Sequence, residues 1–171
     1  MNGLILGRFQ IFHKGHESLV EKAFKFCDTI LIFIGSSDKK NTAENPFSYE
    51  IREKMIKEIY GDKVIVKPLP DLGVGDVPAW GDYVFKNAKK YIDPVDYIFF
   101  GNEVKHNLWY SEEHSKNTVF QVLDRSDIKI SATEVRDAII NDDREFFEKF
   151  TNPAIHKFYD ELREILLKVA K

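Results

Sequence analysis

Cysteine is almost absent: Cys27 is the only one among 171 residues, so no internal disulfide can form. A reducing compartment fits such a chain, and Cys27, near the end of an apolar helix face, reads as packing rather than catalysis. Long hydrophobic runs are missing too. None reaches the roughly 18 residues that a membrane span requires. The opening Met1–Phe9 is too short an apolar stretch for a signal peptide and runs straight into patterned sequence, so a cytoplasmic address is expected. Neither sign of charge dominates: Lys plus Arg number 25 against 28 Asp plus Glu, a net of −3. That excludes a global basic field for nucleic acid but leaves room for a local basic patch around a phosphorylated small molecule. The two familiar glycine-rich phosphate loops, GxxxxGK[ST] and GxGxxG, are absent. No repeat, low-complexity segment or carboxylate cage for a metal is visible.

What is present is a globular composition, 43% hydrophobic and 31% charged, with 14 phenylalanines. A chain of this length buries roughly 70% of its unfolded surface, enough for a core without staples. It reads as one domain over residues 1–171, with a helical extension from about residue 142. Short β-branched clusters predict strands at Gly3–Leu6, Thr29–Ile34, Val64–Pro68, Tyr97–Phe100 and Thr118–Val122. Their near-continuous hydrophobicity predicts strands buried on both faces. Helical patterns fall at His16–Phe26, Ser48–Tyr60, Pro78–Tyr91, more weakly Asn107–His114, then Ala132–Asn141, Arg144–Phe150 and Pro153–Ala170. The alternation predicts an α/β fold: a three-layer, doubly wound parallel sheet with C-terminal helices. Ligands of such sheets bind beyond the carboxyl ends of the strands, which directs attention to the loops there.

The first of these loops is dense in donors. Gly7-Arg8-Phe9-Gln10 leaves the first strand and His13-Lys14-Gly15-His16 enters the first helix, whose N-terminus attracts anions. His13 and His16 share a face if both lie in that first turn, and Gly15 permits close approach of a ligand. A zinc site lacks Cys partners and the usual helical spacing; two ordinary surface histidines are the plain alternative. Further on, Ser131 and Glu134 have capping-box spacing, which starts a helix without any ligand. Arg136, one turn in, can fork onto phosphate oxygens. Asn45-Pro46 reads as a helix start with Pro in its first turn, and Arg52 as a solvated cation.

These stretches carry a resemblance. GRFQIFHKGH resembles the GRFQPFHxGH signature of the nucleotidyltransferase superfamily, with Ile11 where the signature has Pro. Ile130–Arg136 is similar to its late ISxTxxR motif. Gly35, Ser36, Lys39, Thr42, Glu44–Phe47 and Arg52 match the GSxxKxxTxENPFxxxxR pattern of archaeal-type nicotinamide mononucleotide (NMN) adenylyltransferases. The resemblance runs from residue 3 to about 140 and implies a Rossmann-like nucleotidyltransferase fold.

The reaction it implies is NMN plus ATP giving NAD and pyrophosphate, with Mg²⁺ escorting ATP. The NMN phosphate is the nucleophile, so the protein needs cations and positioning rather than a Ser or Cys. By this resemblance His13, His16 and Arg136 are the catalytic residues. ATP falls to Gly7, Arg8, Phe9, Lys14 and Gly15 of the first loop, to Arg52, to the strand-end pair Gly101-Asn102, and to Ser131 and Thr133. NMN falls to Gly35, Ser36, Asn45, Phe47, Asp71 and Trp80, with the Trp80 ring stacked on nicotinamide; a core tryptophan is the competing reading. Arg125, in the segment Leu123–Lys129, receives no role. A homo-oligomer is also implied. The alternatives are another HxGH adenylyl- or cytidylyltransferase with a different phosphate acceptor, and a nucleotide sensor without turnover.

Overall fold

Leu4 and Ile5 are neighbours on β1 (Asn2–Gly7) and both are buried, yet they belong to opposite cores. Successive strand residues point to opposite faces, so a strand apolar at every position must be covered twice. β2 (Thr29–Gly35) repeats the division: Ile30, Ile32 and Ile34 enter one core, Leu31 and Phe33 the other. The computed structural model describes residues 1–101, 109–123 and 128–170.

With β3 (Ile65–Leu69), β4 (Tyr97–Phe100) and β5 (Val119–Val122), these strands form a parallel sheet in the order β3-β2-β1-β4-β5. Each lies within one residue of its predicted bounds. The helices α1 (Lys14–Ala23) and α2 (Tyr49–Tyr60) contribute Leu19, Val20, Ala23 and Ile56 to one core. On the opposite face α3 (Pro78–Ala88) supplies Val84, Phe85 and Ala88. The chain therefore winds outward from β1 through β2 to β3 on one face, then returns across the sheet to β4 on the other. Reversing direction and face together keeps every crossover the same hand. The reversal lies between β1 and β4, where the following loops part and leave a crevice.

α5 (Ala132–Ile140), α6 (Arg144–Phe150) and α7 (Tyr159–Val169) form a third cluster. Val135, Ile139, Phe147, Leu162 and Leu166 pack there with Met55 of α2 and with Ile11 and Phe47. No helix among the described residues is long and apolar enough to cross a membrane.

Three expectations need correction. β5 is not buried on both faces: Val119 and Val122 are 50% and 46% exposed, because only β4 flanks this short edge strand. The last helix is interrupted: Pro153–Phe158 is a 3₁₀ turn, capped by the Asn152 side chain on the Ala154 N–H, before α7 begins. Pro46 does not open α2; Ser48 caps it by accepting from the Ile51 N–H. Of the weak helix at Asn107–His114, residues 107 and 108 lie outside the described residues, and a short α4 (Glu112–Ser115) follows.

Candidate active site

Beyond the carboxyl ends of β1, β2, β3 and β4 lies an open cleft of about 810 Å³, in the upper range for ligand sites. Its floor is the turn after β1. Phe9 takes a left-handed backbone conformation, φ 55°, which folds its ring back over Gly7. A Cβ at Gly7 would lie 2.7 Å from that ring, so a side chain there would force the ring to shift. The turn then runs inward: Gln10 and Ile11 are buried, and Gln10 pairs with the backbone of Phe47.

The entry to α1 is built from two histidines in place of the usual Ser and Glu. His13 Nδ1 accepts the Gly15 N–H at 3.0 Å, and the His13 N–H donates to His16 Nδ1 at 3.1 Å. Their rings stack at 3.7 Å between centroids, and the edge of Phe9 holds His16 in place. Since both Nδ1 atoms accept, each imidazole carries its hydrogen on Nε2. The reciprocal cap therefore fixes the tautomer as well as the helix start. His16 lines the cleft.

Arg136 reaches the same place from the far end of the chain. Its Nη1 donates to the Gln10 carbonyl and its Nη2 to Thr133 Oγ1 at 3.3 Å. Burial lowers its pKa, and repulsion from Arg8 lowers it further. Arg8, Arg136 and His16 thus meet on one wall, with the start of α5 at Ala132 and Thr133. Like charges held together cost free energy unless an anion joins them.

Aromatic and acidic residues line the cleft as well. Trp80 in the first turn of α3 meets Trp109 edge to face, 6.4 Å between centroids. The contact is intimate because Gly81 has no side chain: a Cβ there would sit 1.8 Å from the Trp109 carbonyl oxygen. Trp109 Nε1 donates to Asp76 at 2.8 Å. Ser36, at φ 48°, donates to Asp71 at 2.9 Å, and the Asp71 N–H donates to Asp38 at 3.0 Å. These bonds tie the loop after β2 to the loop after β3.

A cytidylyltransferase-like family model matches residues 4–138. The chain belongs to the cytidylyltransferase-like family. It is 30% identical to the nicotinamide-nucleotide adenylyltransferase of Thermococcus sibiricus, over 96% of this chain and 86% of that one. To the enzyme of the same name from Pyrococcus abyssi it is 34% identical, over 82% of this chain and 73% of that one. Among solved structures, the bifunctional NMN adenylyltransferase/ADP ribose pyrophosphatase of Francisella tularensis, complexed with AMP and a Mn ion, matches with a TM-score of 0.73 at 23% identity. That match covers 98% of this chain, which spans only 51% of the bifunctional one.

Against this family frame the expected site residues divide. Gly7, Arg8, Phe9, His16, Gly35, Ser36, Asp71, Trp80, Gly101, Thr133 and Arg136 line the cleft. His13 and Gly15 are buried and joined to each other, with the His13 ring stacked on His16, and Ser131 caps α5 with Glu134. Trp80 packs against the core and also lines the cleft. Asn45 sits at 3.5 Å from the Arg8 guanidinium. Asn102 and Arg125 lie outside the described residues.

Three expected residues do not appear in the described lining of the cleft. Phe47 is fully buried in the C-terminal cluster, so it anchors a backbone and touches no cleft. Lys14 points into a separate surface cleft beside Glu17, Ser18 and Glu21. Arg52 is not the solvated cation of the plain reading. It is fully buried, and its guanidinium donates to the carbonyls of Arg8, Gly35, Ser36, Lys39 and Ser48. Sequence reading missed Gln10, Trp109 and Asp76. Trp109 follows the fourth strand in an aromatic pair, and that position was the available signal.

Proposed function

We propose that the chain transfers the adenylyl group of ATP to the phosphate of NMN, giving NAD and pyrophosphate. The observation that carries the reading is that Arg8, His16 and Arg136 line one cleft together with Trp80 and Trp109. A triphosphate suits the cations and a cationic pyridinium ring the two indoles. The archaeal relatives bearing the name nicotinamide-nucleotide adenylyltransferase support the same acceptor.

The reaction asks the protein to bring two anions in line and to neutralise charge that builds on the phosphoryl oxygens. Arg8 and Arg136 bind the triphosphate, with the α5 N-terminus at Ser131–Thr133 beside them. His16, its Nε2–H fixed by the cap, donates to the α-phosphate oxygen; His13 holds His16 in register and contributes its own Nε2–H there. Alignment of this kind supplies on the order of 7–11 kcal/mol of barrier lowering. A divalent metal enters with ATP, and Mg²⁺ is the proposed ion. Phosphate oxygens and water supply most of its ligands, since Mg²⁺ sheds its water reluctantly. A single domain in the cytoplasm, assembled as a homo-oligomer, belongs to the same proposal; sedimentation checks the assembly.

The test is direct. The purified chain, given ATP, Mg²⁺ and NMN, should release pyrophosphate and NAD in equal amounts. Parallel reactions with phosphopantetheine and FMN separate other acceptors. Turnover with one of those but not NMN would replace the acceptor, and nucleotide binding without pyrophosphate would make the chain a sensor.

A further inference from the structure

The helix that follows Trp109, α4 (Glu112–Ser115), is a single turn, and a turn this short has no stability of its own. Its position is borrowed from α3. Gly81 admits the Trp109 carbonyl, and the Phe85 ring meets Tyr110 edge to face, 5.5 Å between centroids. The same Phe85 ring lies flat against His114, at 4.1 Å and 6°. Beside that stack, His114 Nε2 reaches Asp82 Oδ1 at 2.7 Å. A carboxylate only accepts, so Nε2 carries the hydrogen. Asp82 follows Trp80 and Gly81 directly in α3, so the bond pins the segment within two residues of the cleft lining.

We propose that His114 is a positioning residue: paired with Asp82 it holds Trp109 in the cleft, and it holds more tightly when its imidazole is protonated. Histidine is the side chain that ordinarily changes charge between pH 5 and 8. The protonated ring gains an ionic bond to Asp82 and a cation–π contact with Phe85, whereas the neutral ring keeps only the plain hydrogen bond. The other ionisable groups around it, among the described residues, leave that sign in place. Lys86, one turn on from Asp82, is exposed, and burial raises the Tyr110 phenol, which stays neutral. Glu112 and Glu113 on α4 add negative charge, and β5, which meets Tyr110 through Phe120, carries no ionisable side chain. The Asp82 side chain is 66% exposed, so screening limits the gain to about two- to fivefold in how often the segment is docked. The consequence for the acceptor rests on the adenylyl-transfer reading above: its KM should rise as His114 loses its proton.

Trp80 and Trp109 are the only tryptophans of the chain, so intrinsic fluorescence reports this junction alone. Acrylamide quenching is measured from about pH 5.5 to 8.5, without substrate, in wild type, His114→Gln and Asp82→Asn. Both substitutions keep a hydrogen bond across the pair and remove the ionic one. Wild-type quenching should rise roughly twofold across the range, and both variants should stay flat at the high-pH level. KM for NMN should rise about two- to fivefold in wild type alone, while the KM for ATP follows one profile in all three proteins. His13 and His16 remain in every variant, so the difference between profiles belongs to this pair. Flat quenching in wild type, a slope that persists in both variants, or quenching that titrates while KM for NMN does not overturns the inference. Absence of NAD formation refutes the adenylyl-transfer reading instead, and the quenching profile then decides the docking of Trp109 by itself.

Discussion

Gln10 and Phe47, 37 residues apart in the chain, exchange two hydrogen bonds: Gln10 Nε2 donates to the Phe47 carbonyl at 3.2 Å, and Gln10 Oε1 accepts the Phe47 N–H at 3.0 Å. The side-chain amide imitates a strand partner where no strand runs. Arg136 docks on the Gln10 carbonyl, so a single residue ties the turn after β1, the segment before α2 and the start of α5. The three stretches that stand out separately in the sequence meet at this residue.

Gln10→Ala should therefore cost on the order of 2–4 kcal/mol, because it leaves a buried N–H and a buried carbonyl unpaired. A urea titration measures the loss. Stability within about 0.5 kcal/mol of wild type would mean water takes over both bonds and the clamp matters little.

His16 carries two duties on two nitrogens, and two substitutions separate them. Asparagine places an acceptor near the old Nδ1 and keeps the cap on the His13 N–H, but loses the Nε2 donor. Glutamine reaches toward the old Nε2 and abandons the cap. His16→Asn should lower kcat by about 10²–10³ with little change in melting temperature. His16→Gln should retain more turnover and lose about 1 kcal/mol of stability. The opposite ordering in kcat would take the Nε2–H out of the chemistry.

The sheet was legible because parallel strands buried on both faces leave an apolar run without alternation, as in Thr29–Gly35. β5 misled because Val119 and Val122 look like core residues, and an edge position is invisible until the strand order is known. Donor-rich loops marked the cations that line the cleft. What residue type alone did not convey was direction. Arg52 and Arg136 are both guanidiniums in helices, yet one turns its fork on carbonyl oxygens while the other reaches the cleft. Trp109 escaped because its role comes from α3 packing against its backbone at Gly81.

Arg52 offers a sharp test of that distinction. Burial brings its pKa down to about 10, the cost of placing a cation beneath the ends of β1 and β2. Arg52→Lys keeps charge but loses the planar fork that reaches several carbonyls at once. It should destabilise the fold by roughly 2–4 kcal/mol and raise KM for both substrates, since Arg8 and Ser36 are held through their carbonyls. A large fall in kcat at unchanged stability would return Arg52 to the phosphates.

Trp80→Ala and Trp109→Ala should each raise KM for NMN by about tenfold while KM for ATP stays near wild type. Steady-state titration of each substrate against saturating partner separates the two constants. Equal shifts in both would assign the rings to packing alone.

Cys27 gives a pH-dependent readout of the core. It is 2% exposed, and a Cβ added to Gly3 of β1 would lie 3.0 Å from its sulfur. Burial pushes the thiol from 9.0 up to about 11, while the nearby N-terminal amine pulls it down and Asp96 and Asp28 push it up. The folded protein keeps this proton to about pH 11, whereas the unfolded chain releases it near 9, so unfolding frees a proton between the two values. The stability this group contributes is complete below pH 9 and is lost as pH climbs through 11. At pH 8 the native thiol should accordingly resist a disulfide reagent such as dithionitrobenzoate, and react at once in denaturant. Unfolding midpoints of wild type and Cys27→Ala should converge as pH rises from 9 to 11, and a constant gap across that window would show that the thiol ionises no differently in the core than in the unfolded chain.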